Sequence, residues 1–184
     1  MHPVQKAFME LILILHHVSK RKNVHMLLEV ASSFHIKCVY LVGQEKNKAL
    51  ITDWCLQYDI VLFECCTLLQ AKGAIHEKHK ATIFGIEILP QAMNVLGNKT
   101  LTVSSSPFTG SSAILMGNEG SGMSKSQMEI CDEFLYIPQY GGGTASLNVT
   151  VAASIIFYRF TVWAQEQELK KMEIIDKKEN MLNE

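Results

Sequence analysis

Between Leu115 and Phe157 the chain reads LMGNEGSGMSKSQMEICDEFLYIPQYGGGTASLNVTVAASIIF, and two apolar runs each break into a glycine-rich loop that opens onto a helical pattern. The first run ends at Gly117 and passes through Asn118, Glu119, Gly120, Ser121 and Gly122, a tight turn in which few side chains obstruct a ligand from reaching backbone amides. Ser124, with Gln127 three positions on, reads as a capping box opening a short helix. Phe134, Leu135, Tyr136 and Ile137 form a second apolar strand that Pro138 stops. Gly141, Gly142 and Gly143 follow, and Ser146 can cap a long helix carrying Val149, Ala152, Ala153, Ile156, Phe157 and Phe160 at helical spacing. Two glycine loops therefore end two strands and open two helices, the arrangement of a binding edge.

The preceding chain alternates in the same way. Leu11 to Leu15 is an unbroken aliphatic run, which fits a central strand buried on both faces, and it ends at His16 and His17. A polar, basic turn of Ser19, Lys20, Arg21 and Lys22 leads to Asn23, placed to cap a helix through Met26, Leu27, Val30, Ala31 and Phe34. Lys37 to Val42, Ile60 to Phe63 and Ala81 to Ile88 read as strands, and Asn47 to Gln57 and Thr67 to Lys78 as helices. The prediction is an α/β domain, a mainly parallel sheet flanked by helices, with ligand loops at the carboxyl ends of strands. From Pro90 to Ser112 the pattern weakens into a long connection with a short strand at Thr100 to Val103.

With 184 residues, 48% of them hydrophobic and 19% charged, one core accounts for the chain. Residues 1–165 read as the domain, and 166–184, rich in Lys, Glu, Asp and Asn, as a charged helical extension and tail. No apolar run is long enough to span a membrane and the N-terminus does not read as a signal peptide, so the cytoplasm is the expected location, with nucleus or organelle open. The five cysteines show no Cys-x-x-Cys spacing and read as reduced thiols, with neither a disulfide framework nor a metal site expected. A net charge of −1 argues against a long nonspecific nucleic-acid footprint, but a local basic patch would not show in that total.

Two further motifs carry less than they promise. Gly117-x-x-x-x-Gly122 begins like a phosphate-binding loop, but Met123 and Ser124 stand where Lys-Ser/Thr is required. The histidines of His76-Glu77-Lys78-His79 are three apart, not four as in the zinc motif His-Glu-x-x-His, and fit a solvated helix end.

The glycine loops themselves carry a resemblance. GNEGSGMS, followed by IPQYGGGTASLNVTVAAS, resembles the second and third signature motifs of the SpoU-type RNA 2′-O-ribose methyltransferases of the SPOUT superfamily, and the likeness extends over residues 10 to 165. It implies a deep trefoil knot in the C-terminal part of the domain, S-adenosylmethionine as cofactor, methyl transfer to a ribose 2′-oxygen of tRNA or rRNA, and no metal. It implies cofactor contacts at Ile86, Gly117, Asn118, Glu119, Gly122, Ile137 and Leu147, with Ser146 and Asn148 organising the catalytic end. The loop from Pro138 to Ser146 is one residue longer than the commonest bacterial form. Relatives dimerise through the long C-terminal helix and complete the RNA site across that interface; here Ile155, Tyr158 and Val162 widen its apolar surface. Lys20, Arg21 and Lys22, beside Asn23, are candidate RNA phosphate contacts.

The family's first motif stands here as Asn23-Val-His25-Met-Leu-Leu-Glu29-Val-Ala31-Ser-Ser-Phe34-His35. Asn23, Ala31 and Phe34 match, whereas His25 and His35 occupy glycine positions and Glu29 replaces the catalytic arginine. A carboxylate repels phosphate where a guanidinium would hold it. Glu29 thus implies one of three things: a carboxylate general base, a cation borrowed from Arg21 or Lys22 and held by Glu29, or a noncatalytic RNA-binding protein that keeps the fold. The borrowed cation is the preferred expectation.

Overall fold

The computed structural model describes residues 9–18, 20–44, 46–87, 93–94, 106–118, 121–139 and 146–182. In chain order the elements are β1 (Leu11–Leu15), α1 (Arg21–Ser33), β2 (Cys38–Val42), α2 (Lys48–Gln57), β3 (Val61–Cys65), α3 (Leu68–His79), β4 (Thr82–Ile86), β5 (Met93–Asn94), β6 (Ser112–Met116), α4 (Lys125–Ile130), β7 (Glu133–Tyr136) and α5 (Val149–Leu182). The strands form a seven-stranded sheet of order β3-β2-β1-β6-β4-β7-β5, and every pairing is parallel.

All five residues of β1 are buried, and they divide by parity. Leu11, Leu13 and Leu15 join the core formed with α1, α2 and α5, whereas Ile12 and Ile14 pack with Leu68, Ala71 and Ile75 of α3 and Ile130 of α4. Successive side chains in a strand point to opposite faces, so a run apolar throughout belongs between two helical layers. Gly85 of β4 shows how tight the second layer is: a Cβ there would lie 2.8 Å from the Cys131 sulfur and 2.9 Å from the Phe134 ring.

Several sequence expectations shift. Asn23 does not cap α1: the helix starts at Arg21, its cap residue is Lys20, and no side chain closes the cap. Ser146 does not cap α5 either; the Asn148 carboxamide accepts the Thr150 N–H at 2.9 Å instead. β4 ends at Ile86, and β5 adds a short edge strand that the weak pattern after Pro90 concealed. The capping box at Ser124 and Gln127 is formed. The strand expected at 100–103, the glycines at 141–143, and the loops on which a knot would depend lie outside the described residues.

His35 sits at a φ of +58°, in the left-handed region just past the end of α1. That conformation is why a glycine suits the position, and a Cβ here carries modest strain.

Candidate cofactor pocket

The carboxyl ends of β4, β6 and β7 meet the start of α5 around a cavity of about 530 Å³. That lies within the roughly 300–1,000 Å³ of small-molecule sites. Ile86, Gly117, Asn118, Gly122, Ile137, Ser146 and Leu147 line it together, with Met116, Met123 and Met128 adding an apolar wall. Glu119 lies outside the described residues.

Glycine at 117 is dictated by packing, because a Cβ there would stand 2.9 Å from the Gly122 carbonyl carbon and 3.0 Å from the Met123 nitrogen. The two limbs of the loop close on each other through reciprocal backbone hydrogen bonds between Asn118 and Gly122, at 2.9 and 3.0 Å. Gly122 has a φ of +69°, which a side chain would strain, and a Cβ there would approach the Glu87 carboxylate to 2.6 Å.

Glu87, which the sequence reading passed over, lines the cavity and accepts the Met123 N–H at 3.1 Å. Its own N–H donates to the Leu135 carbonyl at 3.0 Å, so one residue ties β4, β7 and the glycine loop together. An acidic side chain one residue past a strand's carboxyl end was the available signal.

Two amides anchor the loop to the end of β1. The Asn118 carboxamide donates to the His17 carbonyl at 3.0 Å, and that of buried Gln127 to the His16 carbonyl at 3.3 Å. The His16 ring is buried and stacked on His17 with centroids 3.9 Å apart. Burial first, and then the neighbouring His17, lower its pKa to about 4, so the imidazole is neutral at physiological pH.

Asn23 and Asn148 are brought together, Asn148 standing between lining residues Leu147 and Val149. The Asn148 amide donates to the Asn23 side-chain oxygen at 3.4 Å, which couples the start of α1 to the chain directly after Leu147. Lys20, Arg21 and Lys22 are exposed at this end of α1. Glu29 is exposed as well and does not line the cavity. Among the described residues no ion pair joins Glu29 to Arg21 or Lys22, contrary to the expected clasp: Arg21 lies eight positions away, about 12 Å along the helix. Its guanidinium carbon instead sits 5.8 Å from the Trp54 ring centroid.

His76 and His79 diverge, His76 to Asp132 at 2.8 Å and His79 to Glu10 at 2.6 Å. Among the described residues no group of three or more His, Cys, Asp or Glu is placed to hold a metal. Among the described residues no helix is long and apolar enough to cross a membrane.

Sheet order and pocket together define an α/β protein, a parallel sheet between helical layers with a cavity at the carboxyl ends of its strands. A putative RNA methyltransferase of the TrmH family from Porphyromonas gingivalis superposes with a TM-score of 0.63 at 20% identity, over 83% of this chain and 59% of that one. The SpoU methyltransferase AviRb from Streptomyces viridochromogenes, in complex with AdoMet, gives 0.64 at 17% identity, over 91% and 63%. The chain belongs to the SpoU rRNA Methylase family, whose model matches residues 10–158. Among relatives, the 23S rRNA (guanosine-2'-O-)-methyltransferase RlmB of Pasteurella multocida is 28% identical over 153 residues, which cover 80% of this chain and 58% of that protein.

Proposed function

We propose that the protein binds S-adenosylmethionine in this pocket and transfers its methyl group to a ribose 2′-hydroxyl of tRNA or rRNA. The observation that carries the reading is the cavity walled by Gly117, Asn118, Ser121 and Gly122, with Asn148, which meets Asn23, standing in the chain between lining residues Leu147 and Val149. The pocket fits the cofactor: its glycine positions are ones a Cβ would overfill, and Ile86, Ile137 and Leu147 offer apolar surface to an adenine. When bound, S-adenosylmethionine supplies an electrophilic methyl group on a sulfonium. The chain's part is to hold and orient. Asn118 and Gly122 shape the loop, Glu87 keeps it against β4, and Ser146 and Asn148 would organise the catalytic end, with Asn23 setting the Asn148 carboxamide. Lys20, Arg21 and Lys22 receive RNA phosphates at the first turn of α1, which contains no acidic side chain. We place the activity in the cytoplasm, nucleus or an organelle, wherever that RNA resides. Residues 1–165 form the catalytic domain in this reading, and 166–184 an accessory extension.

The partner is a second copy. Val151, Ile155, Tyr158 and Val162 recur at alternating spacings of four and three along α5, and Leu169 and Met172 continue the ridge. Val151, Tyr158, Leu169 and Met172 are between 48% and 62% exposed. Light scattering at micromolar concentration is expected to give a dimer, and a monomer would remove the shared RNA site.

Methyl transfer from labelled S-adenosylmethionine to total small RNA tests the activity, with mapping of the 2′-O-methyl nucleotide. Binding is read separately by calorimetry; a ligand at 100 times its dissociation constant stabilises by about 2.7 kcal/mol. Glu29 favours a second reading, a noncatalytic RNA-binding protein on the same fold. Single-turnover assays separate the two. A borrowed cation predicts loss of transfer in Arg21→Ala or Lys22→Ala and a smaller loss in Glu29→Ala, whereas an inactive wild type rescued by Glu29→Arg establishes the noncatalytic reading.

A further inference from the structure

We infer that Trp54, His25 and Arg21 form a stacking platform for an unpaired RNA base held beside the basic turn; the inference rests on the RNA reading above. Three planar groups meet where α1 packs beside α2. The His25 and Trp54 ring centroids are 4.7 Å apart, and the Arg21 guanidinium lies 5.8 Å from the Trp54 centroid. Tyr58 fixes the arrangement from behind, its hydroxyl hydrogen-bonded to the His25 Nε2 at 3.1 Å. Burial, and then the Glu29 carboxylate, raise the Tyr58 pKa, which keeps that hydroxyl protonated. The His25 and Trp54 rings are half-buried, with Arg21 exposed above Trp54.

Position and charge select the ligand. Arg21 and His25, one turn apart, share a face of α1 beside the exposed lysines Lys20 and Lys22. A strand crossing the start of α1 meets both the lysines and the rings. The exposed carboxylate of Glu29, one turn beyond His25, repels phosphate, while exposed Lys20 and Lys22 attract it at the helix start. The phosphates therefore follow the basic turn and the uncharged base faces the rings. Bases stack on aromatic faces and on guanidinium planes, and every base offers such a face, so the contact selects unpaired RNA without selecting sequence. The second tryptophan, Trp163, is only 9% exposed and packs against Phe108 and Phe160, so it is core.

That contrast supplies the test. In a Trp163→Phe background Trp54 is the sole tryptophan, and its emission is followed as a single-stranded oligoribonucleotide is added, with retention of the same RNA measured on filters. The expected result is saturable quenching by the single strand, little by a duplex of equal length, and none by inorganic polyphosphate. Trp54→Leu should weaken single-strand binding about 10-fold, leave polyphosphate binding unchanged, and leave the salt dependence of RNA binding unchanged because no phosphate contact is lost. If either variant folds poorly, the wild type serves, since buried Trp163 adds a constant background, and Trp54→Phe should retain most of the affinity. RNA retained with unchanged Trp54 emission overturns the platform and leaves the RNA reading intact. Equal quenching by polyphosphate overturns it too, as does quenching by a proline-rich peptide but not by RNA, which would give the rings to a protein partner. No RNA retained at any concentration overturns the platform and the RNA reading together.

Discussion

Around the pocket the chain presents backbone and apolar side chains, whereas at the amino ends of the strands charged pairs tie the sheet to its helices. Around the pocket the main contacts are carboxamide to carbonyl, and even Glu87 is occupied with a backbone N–H. At the other end, Asp132 takes Lys72 at 3.0 Å, His76 at 2.8 Å and the Ile83 N–H at 2.9 Å. There too Glu10 holds His79, whose other nitrogen meets the Tyr40 hydroxyl at 3.1 Å. The difference shows how a sheet divides its tasks. Around the pocket the strand ends leave room for a ligand to meet backbone groups, whereas in the amino-end cluster the side chains pair their charges with one another.

The largest expected effect separates the ends by pH. The unfolded His16 imidazole takes a proton near pH 6.5 and the folded one only near 4, so across that window the unfolded chain binds more protons and stability falls as pH falls, by about 3 kcal/mol in all. Denaturant unfolding at stepped pH should show a shallower slope in His16→Gln over that range; identical slopes would remove His16 from the account. Next is Gly117→Ala, whose Cβ meets backbone 2.9 Å away. Calorimetry should show S-adenosylmethionine binding weakened about 30-fold, with only a small drop in melting temperature. An equal loss of fold would mean that the pocket and the core are not separable.

Asp132→Asn should do the reverse, lowering stability by about 1–2 kcal/mol and leaving cofactor binding untouched. Burial works to raise the Asp132 pKa, but the Ile83 N–H, His76 and Lys72 outweigh it and leave the carboxyl below its usual 3.8. Its contribution is therefore present above that value and lost as pH falls through the lower folded pKa, beneath the window in which His16 acts. Acid titration of the melting temperature should show this late step in the wild type and not in the variant. The smallest effect is Ser124→Ala, which opens the capping box of α4 and should cost about 1 kcal/mol. If cofactor affinity falls with it, α4 belongs to the pocket and not merely to its support.

Much of this was legible before any coordinates. The apolar run of β1 announced burial on both faces, and the glycines at 117 and 122 marked the turn that the pocket uses. Asn23 was singled out for the wrong task, because a capping residue and a buried contact look alike in sequence; the partner that distinguishes them, Asn148, is 125 residues away. Glu87 was missed, and the tertiary bonds of Gln127 and His16 went unread, for the same reason, since each matters through a neighbour from a distant strand or helix. Glu29 was conspicuous as a replaced arginine, yet only the helix orientation showed it facing solvent with Arg21 turned onto Trp54.

Residue order alone determined the alternation of strands and helices, the glycine loops and the family motifs, because periodicity, capping and the freedom of glycine act within a few residues of chain. Tertiary structure decided which strand ends meet, which carboxamide holds which loop, and which rings stack beside the basic turn, because those contacts join residues that only the packed sheet brings within reach.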